Sequence, residues 1–101
     1  MHIADVKLPS EWTTLASLIT TVEDDAQYMI MNSSPDLIYA VEGDTTPIDT
    51  IIGVPILPNN YILYQKGSQT NLYLRNGYTP VMASGVDTQH KISNITINKV
   101  G

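Results

Sequence analysis

The chain has no cysteine, no phenylalanine, few bases and no long apolar run. Each absence excludes something. Without Cys there is no disulfide and no thiolate metal centre, and the redox compartment leaves no mark. Five Lys and Arg stand against ten Asp and Glu, for a net charge of −5. No basic patch is therefore available to neutralise phosphates, which argues against direct nucleic-acid binding. No apolar stretch approaches the roughly 18 to 20 residues that a membrane-spanning helix needs. Residues 1–5 (MHIAD) carry neither the basic n-region nor the apolar h-region of a secretory signal, so none is expected. Charged residues make up only 15% of the chain. A surface so poor in charge suggests that partners cover part of it.

What is present fits one small β-rich domain. The 101 residues suffice for a single core, expected as one domain over 1–101, and the apolar fraction of 43% is too high for a disordered chain. Six Tyr suit half-buried sheet faces and interfaces, where the ring is covered and the hydroxyl stays paired. The charge is lopsided. Residues 1–50 hold nine acids and one base, whereas residues 51–101 hold four bases and one acid. Either the halves pair within the fold or they present complementary faces to neighbouring copies.

Residues 1–25 read as an N-terminal arm with one short helix. Ser10 is a candidate N-cap, and Trp12, Leu15, Ala16 and Ile19 fall on one helical stripe. A two-turn stripe must lie on something. Strands fill 26–100. Residues 26–32 (AQYMIMN) are apolar on both parities and read as a central strand, paired in a hairpin with 37–43 (LIYAVEG). Residues 51–57 (IIGVPIL) are broken by Gly and Pro and suit a short edge strand. Further strands are expected at 61–66, 70–76 and 91–100, with Ile95 and Ile97 on one face and Asn94, Thr96 and Asn98 on the other. Asn76-Gly77 signals a tight hairpin into 78–84. The fold class expected is mainly β: a small β-sandwich or barrel of six to seven short antiparallel strands with one short N-terminal helix.

No catalytic machinery is legible. His2 and His90 have no carboxylate beside them in sequence to orient them as a base, and the glycines are spread as turn glycines are. The acidic runs Glu23-Asp24-Asp25 and Glu42, Asp44, Asp49 lack the spacing of a calcium loop and read as solvated. The chain is expected to be no enzyme and to need no cofactor and no metal. Tyr61, Tyr64, Tyr73 and Tyr78 could form a sugar-stacking platform, although core or interface rings explain them as well.

Residues 8–76 carry a set of strand-and-turn patterns. Leu8-Pro9-x-x-Trp12 leads into a Leu-containing helix. A strand ends in Asn32, and Tyr39-x-Val41-Glu42 is followed by Pro47. Gly53-Val54-x-Ile56-x-Pro58 comes next, with Asn59 where a second Gly is usual. Tyr61-x-Leu63-x-Gln65-x-Gly67-Ser68 then precedes Leu72-Tyr73-Leu74-Arg75. In these features the chain resembles small β-rich virion structural proteins of tailed bacteriophages, of the decoration, neck or tail type. The resemblance implies a homo-oligomeric virion component, such as a capsid decoration or tail protein, assembled in the host cytoplasm. Its partners would be copies of itself and other virion proteins, with no nucleic acid or membrane contacted. A receptor- or glycan-binding module of a tail or head fibre is the alternative. The interface residues expected are Trp12 and Leu15 on the helix and Ile51, Ile52, Val54, Ile56 and Leu57 on the apolar edge. Lys66 and Arg75 would pair with Glu42 or Asp44 of a neighbour.

Overall fold

Alternation of apolar and polar side chains gives most strands one inward and one outward face. The structure, a computed structural model, describes residues 2–19, 22–47, 53–67, 71–77 and 92–100. Along the chain these form β1 (His2–Leu8), β2 (Thr13–Thr14), α1 (Leu15–Leu18), β3 (Gln27–Asn32), β4 (Ile38–Gly43), β5 (Val54–Ile56), β6 (Tyr61–Gln65), β7 (Asn71–Asn76) and β8 (Ser93–Val100). They pair as two antiparallel sheets of four strands each. One has the order β1-β8-β3-β6 and the other β2-β7-β4-β5, and neither is closed. The expectation of a mainly β chain with one short helix holds, with eight strands among the described residues.

Both sheets feed one core. Leu8, Tyr28, Ile30, Tyr64, Ile95 and Ile97 of the first sheet and Ile38, Ala40, Ile56, Leu72 and Leu74 of the second are buried in a single cluster with Leu15 and Ile19. Burial of such side chains is worth about 1.5 to 3 kcal/mol each and is the main term holding the sheets together.

Three local expectations are corrected. First, the N-terminal segment is a full strand, not an arm. In residues 4–8, Ala4, Val6 and Leu8 alternate with Asp5 and Lys7, and β1 pairs with β8 from His2↔Asn98 to Leu8↔Ser93. Second, the helix is a single turn capped by Thr14, whose Oγ1 accepts from the Ser17 N–H at 3.2 Å. The β-branched pair Thr13-Thr14 stays extended and pairs with Leu74 and Tyr73 of β7, so Ser10 caps nothing helical and Trp12 lies before the turn. Of the predicted stripe, Leu15 and Ile19 are buried, Trp12 is half-buried and Ala16 is exposed. Third, β3 and β4 are not a hairpin: they lie in different sheets.

The reason for that crossing is a polar hub. Asn32, fully buried, donates from Nδ2 to the carbonyl oxygens of Asp36 at 2.6 Å and Ile56 at 2.8 Å. Its Oδ1 accepts from the N–H and hydroxyl of Ser34 at 3.0 and 2.6 Å. Its backbone donates to Asn60 O and accepts from the Asn59 N–H, both at 2.9 Å. Asn32 thus ties the β3–β4 connection to the end of β5 through its side chain and to the turn between β5 and β6 through its backbone, leaving no buried polar group of its own unmatched. In the same region Gly53 sits at φ 93°, and a Cβ there would collide with the carbonyl oxygen of Ala40 and a methyl of Val41. Asn59 sits at φ 66°, a left-handed position that Asn tolerates. The predicted strand 78–84, Tyr78, His90, Ile51 and Ile52 lie outside the described residues.

Candidate interaction surface

The strand positions decide which of the expected contact residues can touch a neighbour. Leu15 and Ile56 are each 1% exposed and belong to the core. Arg75 is 4% exposed, with its guanidinium carbon 5.9 Å from the centroid of the Trp12 ring. Burial holds the Arg75 pKa below its ordinary value, and the aromatic face of Trp12 offsets part of the cost of covering that charge. Arg75 is therefore an interior cation and cannot reach a neighbour's acid. Lys66 Nζ lies 3.4 Å from Asp24 Oδ1, and Lys99 pairs with Glu23. The lopsided charge is used within the fold, where bases of the second half meet acids of the first. Glu42 and Asp44 are exposed, as are Val54 and Leu57, each 55%.

The tyrosines do not form a platform. Tyr64 and Tyr73 are buried, and Tyr61 alone of the three described is exposed, at 54%. Tyr28 is also interior, its hydroxyl accepting from the Glu23 N–H at 3.0 Å. Period-two alternation puts Tyr61 and Tyr64 on opposite faces of β6.

The outward face of the first sheet is divided instead. Its register aligns rows of side chains across four strands. One row runs Asp5, Thr96, Met31, Tyr61 and the next His2, Asn98, Met29, Leu63. The β1–β8 half is polar and internally bonded. Thr96 donates its hydroxyl to Asp5 Oδ1 at 2.9 Å, so Ser33, 2.9 Å from Thr96, must donate to it in turn. His2 Nε2 lies 3.3 Å from the same carboxylate oxygen. The β3–β6 half is apolar, with exposed Tyr61 and Leu63 beside half-buried Met29 and Met31. Sequence reading named Tyr61 for a different role and missed Leu63, Met29 and Met31. The signal is present in the shared parity of YILYQ and QYMIMN, but the sequence reads 26–32 as a central strand covered on both faces and 61–66 only as a strand. On β3, Met29 and Met31 are only partly covered.

Among the described residues, no group of three or more His, Asp or Glu is placed to hold a metal ion, and no helix is long and apolar enough to cross a membrane. No family model matches the chain, and neither a curated protein nor a solved structure matches it.

Proposed function

We propose that this chain is a non-enzymatic structural protein of a tailed-phage virion that works by symmetric association, its two sheets packed as a β-sandwich. The observation that carries association is the apolar half of the outer sheet face. Tyr61 and Leu63, both more than half exposed, continue into Met29 and Met31 at the rim of a sheet whose other rim is charged and hydrogen-bonded. An outward apolar patch beside an edge strand marks an interaction surface or an aggregation hazard, and a partner resolves the hazard. The virion assignment rests on the sequence resemblance over residues 8–76. The fibre-module reading loses ground because two of its four tyrosines, Tyr64 and Tyr73, are interior.

The test is quantitative mass spectrometry of purified particles of the phage whose genome encodes the chain. The proposal expects the chain in many copies per particle and expects the purified chain to add back to particles stripped of it. Absence from particles overturns the virion assignment.

A further inference from the structure

We infer that β6 is the seam of a two-fold dimer, in which two copies of this chain join their first sheets edge to edge through Tyr61–Gln65. The inference rests on the association reading above and names its partner as a second copy and its surface as one strand.

The four sheet edges are not alike. β1 carries Asp5 and Lys7 and a register irregularity between His2 and Ala4. β2 is two residues long. β5 is three residues long with Pro55 at its centre. Charge, bulge, brevity and proline are the devices that keep an edge from pairing with another chain. β6 has none of them: five residues, YILYQ, with no charge and no proline, paired among the described strands only with β3.

Its backbone is set for the pairing. Asn60 turns its carbonyl, and Lys66 both its amide and carbonyl, toward the β3 side: Asn60 O accepts from the Asn32 N–H, the Lys66 N–H donates to Ala26 O, and Lys66 O accepts from the Asp25 N–H. Alternation then directs Ile62 and Tyr64 to β3 as well, and leaves the N–H and C=O of Tyr61, Leu63 and Gln65 facing outward. Two such strands in antiparallel array about an axis at Leu63 place Leu63 opposite Leu63 and Tyr61 opposite Gln65. That register uses all three outward residues of both copies, each opposed pair exchanging two hydrogen bonds. It is self-complementary in the sense a two-fold interface requires.

The side chains agree with this register. The outward face gains a Leu63–Leu63 contact flanked by Met29 of each copy, so the apolar half-face becomes the centre of one continuous sheet. Charge also permits it. Lys66 would stand opposite Asn60, not opposite another cation, and it already has Asp24 at 3.4 Å. The same two-fold at the centre of β1 would instead set Asp5 against Asp5.

The experiment is sedimentation of the full chain across the micromolar range, with amide hydrogen exchange read residue by residue. Leu63 is exposed, so Leu63→Lys is compatible with the monomer fold and puts two like charges face to face on the axis. It should weaken the dimer by about a hundredfold or more with circular dichroism unchanged. Leu57→Lys, equally exposed but off the seam, should leave the dimer intact. In the dimer the amides of Tyr61, Leu63 and Gln65 should be protected and should lose that protection in Leu63→Lys, while those of Ile62 and Tyr64 stay protected in both. Tyr61→Lys combined with Gln65→Glu places opposite charges across the seam and should restore dimer lost in Tyr61→Lys alone. A wild-type chain that associates, but whose association and amide pattern ignore Leu63→Lys, overturns the β6 seam and leaves the association reading standing. A wild-type chain monomeric at high micromolar concentration, away from any particle, overturns the seam; failure to add back to particles as well overturns the association reading.

Discussion

The two flanks of the first sheet solve the same problem in opposite ways. At the β1–β8 flank the central outward groups find partners within the chain: Asp5 takes the Thr96 hydroxyl and lies beside His2, while Ser33 bonds to Thr96. At the β3–β6 flank the outward groups are Met29, Met31, Tyr61 and Leu63, with Gln27 and Gln65 at one end, and the outermost strand carries no charge. Yet the plain flank is the one fixed more firmly from behind, because the Asn32 hub grips the β3–β4 connection, the end of β5 and the turn that delivers β6. A finished surface needs little support beneath it. A surface left to bind a partner gains from being held rigid before the partner arrives, since ordering it on contact would cost affinity.

Breaking the hub should have the largest effect. Asn32→Ala takes the side-chain partner from the buried Ile56 carbonyl and the Ser34 N–H, and leaves Ser34 Oγ only its longer bond to the Asp36 carbonyl at 3.3 Å. Several unmatched groups at about 1 to 3 kcal/mol each suggest a loss of about 3 kcal/mol or more in urea unfolding. If the hub presents β6, residual dimerisation should fall too, even in conditions where the variant is folded. Gly53→Ala comes next. The added methyl would sit at positive φ and against the Ala40 carbonyl, so a cost of about 2 to 3 kcal/mol is expected, read as a lower melting temperature.

The polar flank should prove more forgiving. Thr96→Val keeps shape and removes one hydroxyl that bridges Ser33 and Asp5. Ser33 and Asp5 are exposed to water that can replace the lost bond, so about 0.5 to 1 kcal/mol is expected in chemical unfolding, with oligomeric state unchanged. A larger loss than for Asn32→Ala would reverse the contrast between the flanks.

How much of this was legible in the sequence depends on which physical signal each part used. Strand existence follows from period-two patterning and turn residues, and β3, β4, β6, β7 and β8 stand close to where those signals put them. The short edge strand at Val54–Ile56 was announced by Gly53 and Pro55. β1 carried the same alternation in residues 4–8 and was passed over as a terminus. The helix was overextended because Trp12, Leu15 and Ile19 mimic a helical stripe. Thr13 and Thr14 were free to take a β pairing with β7 that only the tertiary structure supplies. The division into sheets was not legible at all, since it depends on Asn32 reaching Ile56 across 24 residues. The candidate surface failed for a related reason. Apolar runs such as YILYQ show which residues alternate, but not which face finds a second layer. Arg75 read as a surface cation because nothing local marks it as lying under Trp12.

The smallest effect expected is a pH dependence confined to the polar flank. Hydrogen bonding holds the Asp5 pKa below the ordinary carboxylate value, first through the Thr96 hydroxyl and then through His2. A carboxyl whose folded pKa is depressed binds its proton more readily when unfolded, so stability rises with pH across the interval between the two values. The Asp5 contribution is therefore fully present above the unfolded value, about 3.9, and is lost as pH falls through the lower folded one. Full exposure of the carboxylate keeps that contribution small. Carboxyl-carbon NMR titration reads it directly. Thr96→Val removes the leading cause and should move the Asp5 titration back toward the ordinary range, whereas Leu63→Lys, on the opposite flank, should leave it where it is. Correspondingly, the stability difference between wild type and Asp5→Asn should shrink on going from neutral pH into the acid range. If Asp5 instead titrates alike in wild type and Thr96→Val, the bonded ladder on β1–β8 does not hold the carboxylate, and the contrast between a self-satisfied flank and a partner-seeking one loses its first half.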